Sequence, residues 1–163
     1  MRNHVLNSFG DYLLVQGVSL TVIDRPDPPD AIVEICGKQS WIEITDAFQS
    51  ANWARSITSY AAEDKAHVPC KGVRIVDPDQ QAFSQIKDVI INKYHKNTMK
   101  KLMHSNGQGI LLVGVYTPLT MPEEIIEQAG ASIKYEISQE TPIFSSIYLY
   151  RNSESGHVFS QLV

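Results

Sequence analysis

Two β-branched runs separated by a glycine turn carry the clearest pattern in the chain. Ala31-Ile32-Val33-Glu34-Ile35-Cys36 is followed by Gly37-Lys38-Gln39 and then by Ser40-Trp41-Ile42-Glu43-Ile44-Thr45. Runs of this kind across a short loop predict an antiparallel hairpin. The segment before it, Arg25-Pro26-Asp27-Pro28-Pro29-Asp30, holds three prolines, which fix φ and remove donors, so a turn and not a strand leads in. Upstream, Met1 to Phe9 reads as a weak helix or a tail. Asp11 to Val18 and Leu20 to Ile23 read as one bent strand or two short ones.

Beyond the hairpin the period changes. Thr45-Asp46 ends the strand pattern, and Ala47, Ala51, Ala54, Ile57, Thr58 and Ala61 recur at helical spacing, which predicts a helix to about Ala62 capped by Thr45 or Asp46. Residues 63–72 are polar and irregular, and Val73-Arg74-Ile75-Val76 suits a short strand or an extended loop. Asp77-Pro78-Asp79-Gln80 is a helix start, with Asp77 as cap and Pro78 in the first helical position. That helix is expected to run through Ile86, Val89, Ile90 and Tyr94 to about Met103, with Asn106-Gly107 as its stop. Gly109 to Tyr116, GILLVGVY, is a continuous apolar run and hence a buried strand. Pro122 to Ala129 predicts a short helix with acids in its first turn, Ile143 to Tyr150 a strand, and Gly156 to Val163 a segment that pairs with it.

Strands, helix, helix, strand, helix, strand is the order of a mixed α/β protein, with antiparallel strands first and parallel ones later. The 163 residues suit a single domain, 1–163, with 43% hydrophobic and 20% charged residues. No run is long enough to span a membrane, so a membrane partner is not expected. Two cysteines, Cys36 and Cys70, are too few for a disulfide scaffold and suit a reducing cytoplasm. The formal charge of −4, from 14 basic and 18 acidic side chains, runs against the usual basic balance of a nucleic-acid binder.

The hairpin places Asp30 at the entry of one strand and Glu43 near the exit of its partner, so two carboxylates converge at one edge of a sheet. Alternation sets Trp41, Glu43 and Thr45 on one face of the second strand and Ile42 and Ile44 on the other. Mg²⁺ takes oxygen ligands and keeps several waters, so one or two carboxylates suffice to hold it. A capped proline turn at Asp30 and a solvent-facing Glu43 account for the same residue types.

Pro29-Asp30 followed, after twelve residues, by Glu43-Ile44-Thr45 resembles the PD-(D/E)XK nuclease superfamily. The resemblance implies a restriction-endonuclease-like core from about Val18 to Tyr150, a mixed β-sheet flanked by α-helices. It also implies a Mg²⁺ (or Mn²⁺) dependent hydrolysis of phosphodiesters in DNA or RNA. Asp30, Glu43 and the backbone carbonyl of Ile44 would be the metal ligands. The final motif position, Lys in the family, is Thr45 here, and some branches place that lysine on a nearby helix. On the helix after Asp77, Lys93 falls in the middle of the stripe formed by Ala82, Phe83, Ile86, Val89 and Ile90, and is the candidate for the third catalytic group beside Asp30 and Glu43. A lysine in that position also fits one that snorkels past the end of a core. Lys87 lies on the flank of the same helix.

Other chemistry is thinner. His67, Cys70 and Cys36 have the residue types of a zinc site and lack a fourth ligand at a usual spacing. Lys93, His95, Lys96, Lys100, Lys101 and His104 form a basic patch that suits a phosphate backbone or a solvated helix end. The competing reading from a different class is a catalytically inactive member of the fold that binds nucleic acid or protein, which Thr45 and the acidic balance favour. The sequence also allows a homo-oligomer.

Overall fold

The computed structural model describes residues 2–48, 78–116, 121–154 and 156–163. Among them are four helices, α1 (Arg2–Val15), α2 (Pro78–His95), α3 (Asn97–Asn106) and α4 (Pro122–Ser138). The strands are β1 (Leu20–Asp24), β2 (Ala31–Ile35), β3 (Lys38–Phe48), β4 (Gly109–Tyr116), β5 (Phe144–Ser153) and β6 (Gly156–Gln161). They form one mixed sheet whose spatial order is the sequence order. β1, β2 and β3 are antiparallel neighbours, β3, β4 and β5 run parallel, and β6 returns antiparallel to β5.

The sheet is covered on both faces. On one, Val5, Leu6, Phe9 and Leu13 of α1 pack on Ala31, Val33, Ile42, Ile44, Leu112 and Tyr150. On the other, Phe83, Ile86, Ile90 and Tyr94 of α2, Met99 of α3 and Ile125 and Ile133 of α4 pack on Trp41, Ala47, Leu111, Val113 and Leu149. The alternation expected on β3 holds, and each of its two faces meets a core. β4 lies between two parallel neighbours and is buried along nearly its whole length, as a continuous apolar run requires.

Four elements differ from the expectation. Asp11 to Val15 belongs to α1 and not to a strand: Val5, Leu6, Phe9 and Leu13 fall at helical spacing and bury one side. β3 does not stop at Thr45. It continues to Phe48 because Thr45 to Phe48 pair with Val113 to Tyr116 of β4, so a parallel partner overrides the local stop and Ala47 is a strand residue. The expected single helix to Met103 is two helices, with Lys96 between them in extended conformation at φ −71° and ψ 125°. α4 runs through Gly130 to Ser138, since the buried Ile133 outweighs the small helix cost of one glycine. The rest of the helix expected to reach Ala62, the segment Val73 to Val76, the cap Asp77 and the zinc candidates His67 and Cys70 lie outside the described residues; Cys36 is exposed and free.

Candidate functional site

The Ala31–Ile42 pair is the last between β2 and β3, so β3 projects six residues, Glu43 to Phe48, beyond it. Among the described residues this overhang has β4 on one side and no strand on the other. The charged residues of interest gather along this edge.

Asp30, one residue before β2, turns onto the overhang. Its Oδ2 accepts the backbone N–H of Ile44 at 2.7 Å, and its Oδ1 meets the Arg2 guanidinium at the start of α1. Amide and carbonyl of one strand residue point to the same side, so the Ile44 carbonyl is directed to the side where Asp30 sits. The neighbouring Glu43 leaves β3 on the opposite face, among the residues that meet α2. There its Oε1 accepts from Lys93 Nζ at 2.5 Å. The two side chains are only 9% and 10% exposed. Lys87, on the same helix, lies near the surface 3.7 Å from Glu136.

The three expected site residues are therefore drawn to one stretch of β3. Asp30 touches it through Ile44 and Glu43 belongs to it. Lys93 crosses from α2 to reach it. Thr45, at the motif's lysine position, lies two residues beyond Glu43 on the strand. Asp30 and Glu43 engage helices on opposite faces, so the pair straddles this edge of β3.

Asp46 belongs to the same edge and was expected only as a helix cap. Register aligns Asp46, Gly114 and Tyr150 across three parallel strands. The Tyr150 hydroxyl donates to Asp46 Oδ1 at 2.9 Å, passing over the missing side chain of Gly114. Burial raises the pKa of Asp46, partly offset by the Tyr150 hydrogen bond and by the attraction of Arg2 and Lys93. Burial likewise raises the pKa of Tyr150 and of Tyr116 beside it. No local signal marks these groups, because the contact requires parallel register between residues more than sixty positions apart.

The basic patch is divided by the fold. Lys93 is buried in its ion pair, His95 bonds Glu140 at 2.9 Å, and His104 bonds the Lys100 carbonyl at 2.6 Å. Lys96 and Lys101 remain exposed. Among the described residues no three His, Cys, Asp or Glu side chains gather as a metal-binding group, and no helix is long and apolar enough to cross a membrane. The donor set implied by the motif is two carboxylates and the Ile44 carbonyl. It is all oxygen, which fits a hard divalent cation such as Mg²⁺ or Mn²⁺.

Comparison of the chain with family models, curated proteins and solved structures finds no match.

Proposed function

We propose that this chain is a divalent-metal-dependent phosphodiester hydrolase of the PD-(D/E)XK, restriction-endonuclease-like kind, acting on DNA or RNA. The observation that carries the reading is the buried pair between Lys93 and Glu43, because it supplies a lysine beside the motif glutamate when the motif's own position holds Thr45. A mixed sheet flanked by helices, with the motif on a hairpin, supports the same reading.

Asp30, Glu43 and the Ile44 carbonyl would hold Mg²⁺ or Mn²⁺. When bound, such an ion activates water and neutralises charge developing on the phosphate. The Ile44 amide fixes the Asp30 carboxylate, so one ligand is oriented before anything binds. Lys93 carries a positive charge to the edge of β3 from a helix anchored by Ile86, Ile90 and Tyr94. In that place it stabilises negative charge on the phosphate oxygens or on the attacking water. The exposed Lys96 and Lys101 supply weak, salt-dependent attraction for a polyanion on a chain that is otherwise acidic.

The test is cleavage of DNA and RNA with Mg²⁺ or Mn²⁺ by the parent, by Lys93→Ala and by Lys87→Ala. Loss of an electrostatic group at the reacting phosphate lowers the rate about a hundredfold or more, so Lys93→Ala is expected to lose cleavage, and Lys87→Ala to keep it, at a temperature where circular dichroism shows both variants folded. Equal activity in the two variants removes Lys93 from the chemistry. A parent inactive with every divalent metal leaves the second reading, a non-catalytic binding module, which the Thr45 substitution and the net charge of −4 favour.

A further inference from the structure

We propose that Arg2, the first residue of α1, is a displaceable counter-ion that opposes cation binding at Asp30 and so lowers the metal occupancy of the site. The inference rests on the metal-binding role assigned to Asp30 above. Both oxygens of that carboxylate are engaged: Oδ2 by the Ile44 amide and Oδ1 by the Arg2 guanidinium. A divalent cation on Oδ1 would stand against a guanidinium on the same atom, and like charges at contact distance repel.

The two pairs at this edge are built differently. Lys93 and Glu43 are both nearly closed to solvent, and separating them would leave a charge buried without a partner. The Arg2 side chain is 60% exposed, whereas the Asp30 side chain is 4% exposed. The exposed Arg2 can swing into water, and a cation arriving at the buried carboxylate would replace the charge it withdraws, while Ile44 keeps Asp30 in place. The body of α1 does not have to move, since Val5, Leu6, Phe9 and Leu13 hold it on the sheet. Asp46 lies within electrostatic reach of both Arg2 and Asp30, so the guanidinium answers two carboxylates that a divalent cation would answer in its place.

Linkage makes the effect reciprocal: cation binding frees Arg2, and Arg2 weakens cation binding by the same factor. With Arg2 exposed and Asp30 buried, the pair is worth at least the upper end of a fully exposed one, a factor of about five. The experiment is calorimetric titration of Mn²⁺ alone into the intact chain, Arg2→Gln and Asp30→Asn at low ionic strength. Arg2→Gln is expected to bind about fivefold more tightly, and Asp30→Asn to lose the binding. Equal or weaker binding by Arg2→Gln overturns the counter-ion role while leaving the metal site standing. Binding that survives Asp30→Asn places the cation elsewhere and overturns it as well. Absence of Mn²⁺ binding in both the parent and Arg2→Gln overturns the metal site itself, and the counter-ion role with it.

Discussion

Lys93 Nζ stands 2.5 Å from Glu43 Oε1, with both side chains about nine-tenths shielded from water. A lysine in the middle of an apolar helix stripe is thus compensated by a carboxylate on the strand beneath it. Desolvating two charges is costly, and the pair recovers that cost only while both partners are present. Lys93→Ala is expected to lower the free energy of unfolding by about 3–5 kcal/mol. The double variant Lys93→Met with Glu43→Gln removes both charges and should recover most of that loss. Urea denaturation of the parent and both variants measures it; a Lys93→Ala chain as stable as the parent would show that the pair is open to water.

Gly114 and Gly130 should respond oppositely to alanine. A Cβ on Gly114 would lie 2.5 Å from Asp46 Oδ1 and 2.8 Å from both the Tyr116 ring and the Tyr150 oxygen, in the middle of a strand flanked on both sides. Overpacking of this kind costs about 1–3 kcal/mol. Gly130 lies within α4, and a Cβ there meets Ile126 at 3.4 Å and Leu162 at 3.7 Å, which is ordinary contact. Gly130→Ala should stabilise the chain by about 0.5–1 kcal/mol. Thermal melts of the two variants settle the signs.

Asp46 makes stability depend on pH in the direction opposite to a salt-bridged acid. Its folded pKa is raised, chiefly by burial, above the ordinary 3.8. The folded chain then binds more proton than the unfolded chain between these two values. The contribution of Asp46 is therefore greatest below 3.8 and is lost as pH rises through its folded pKa. Asp46→Asn keeps a carbonyl oxygen for Tyr150 and removes the titration. The stability of the variant relative to the parent should rise between pH 4 and pH 7, and a constant difference would exclude the burial effect.

His157 works the other way. Its Nδ1 lies 3.0 Å from Ser8 Oγ on α1, and its ring meets those of His4 and Tyr150. Burial first, and then the neighbouring His4, lower its pKa below the ordinary 6.5. The unfolded chain binds the extra proton between the folded and the unfolded value. Stability from this group is present above 6.5 and declines as pH falls toward the folded pKa. His157→Gln should flatten the fall in stability between pH 7.5 and pH 5.5. An NMR titration of the parent should find the His157 midpoint below that of a free histidine.

The chain's own pattern determined the hairpin, the buried β4 and the placement of Glu43 away from Ile42 and Ile44. In each case a short local period, or a turn residue such as Gly37 at φ 79°, carries the information. It also determined that Lys93 lies on the core-facing stripe of α2, because helix geometry fixes that from spacing alone. What covers that stripe was decided by tertiary structure. Glu43 becomes the partner of Lys93 only because α2 packs on that face of β3. The length of β3 is set by its parallel neighbour, since hydrogen bonds to residues 113–116 outbid the local stop at Thr45-Asp46. Assignment of Asp11 to Val15 to helix α1 also depends on burial, because apolar residues there suit either period until a sheet face selects one. Arg2 on Asp30, and Tyr150 on Asp46 across Gly114, join residues 28 and 104 positions apart. No local period encodes such contacts; they arise when helix packing and strand register bring distant groups to one edge of the sheet.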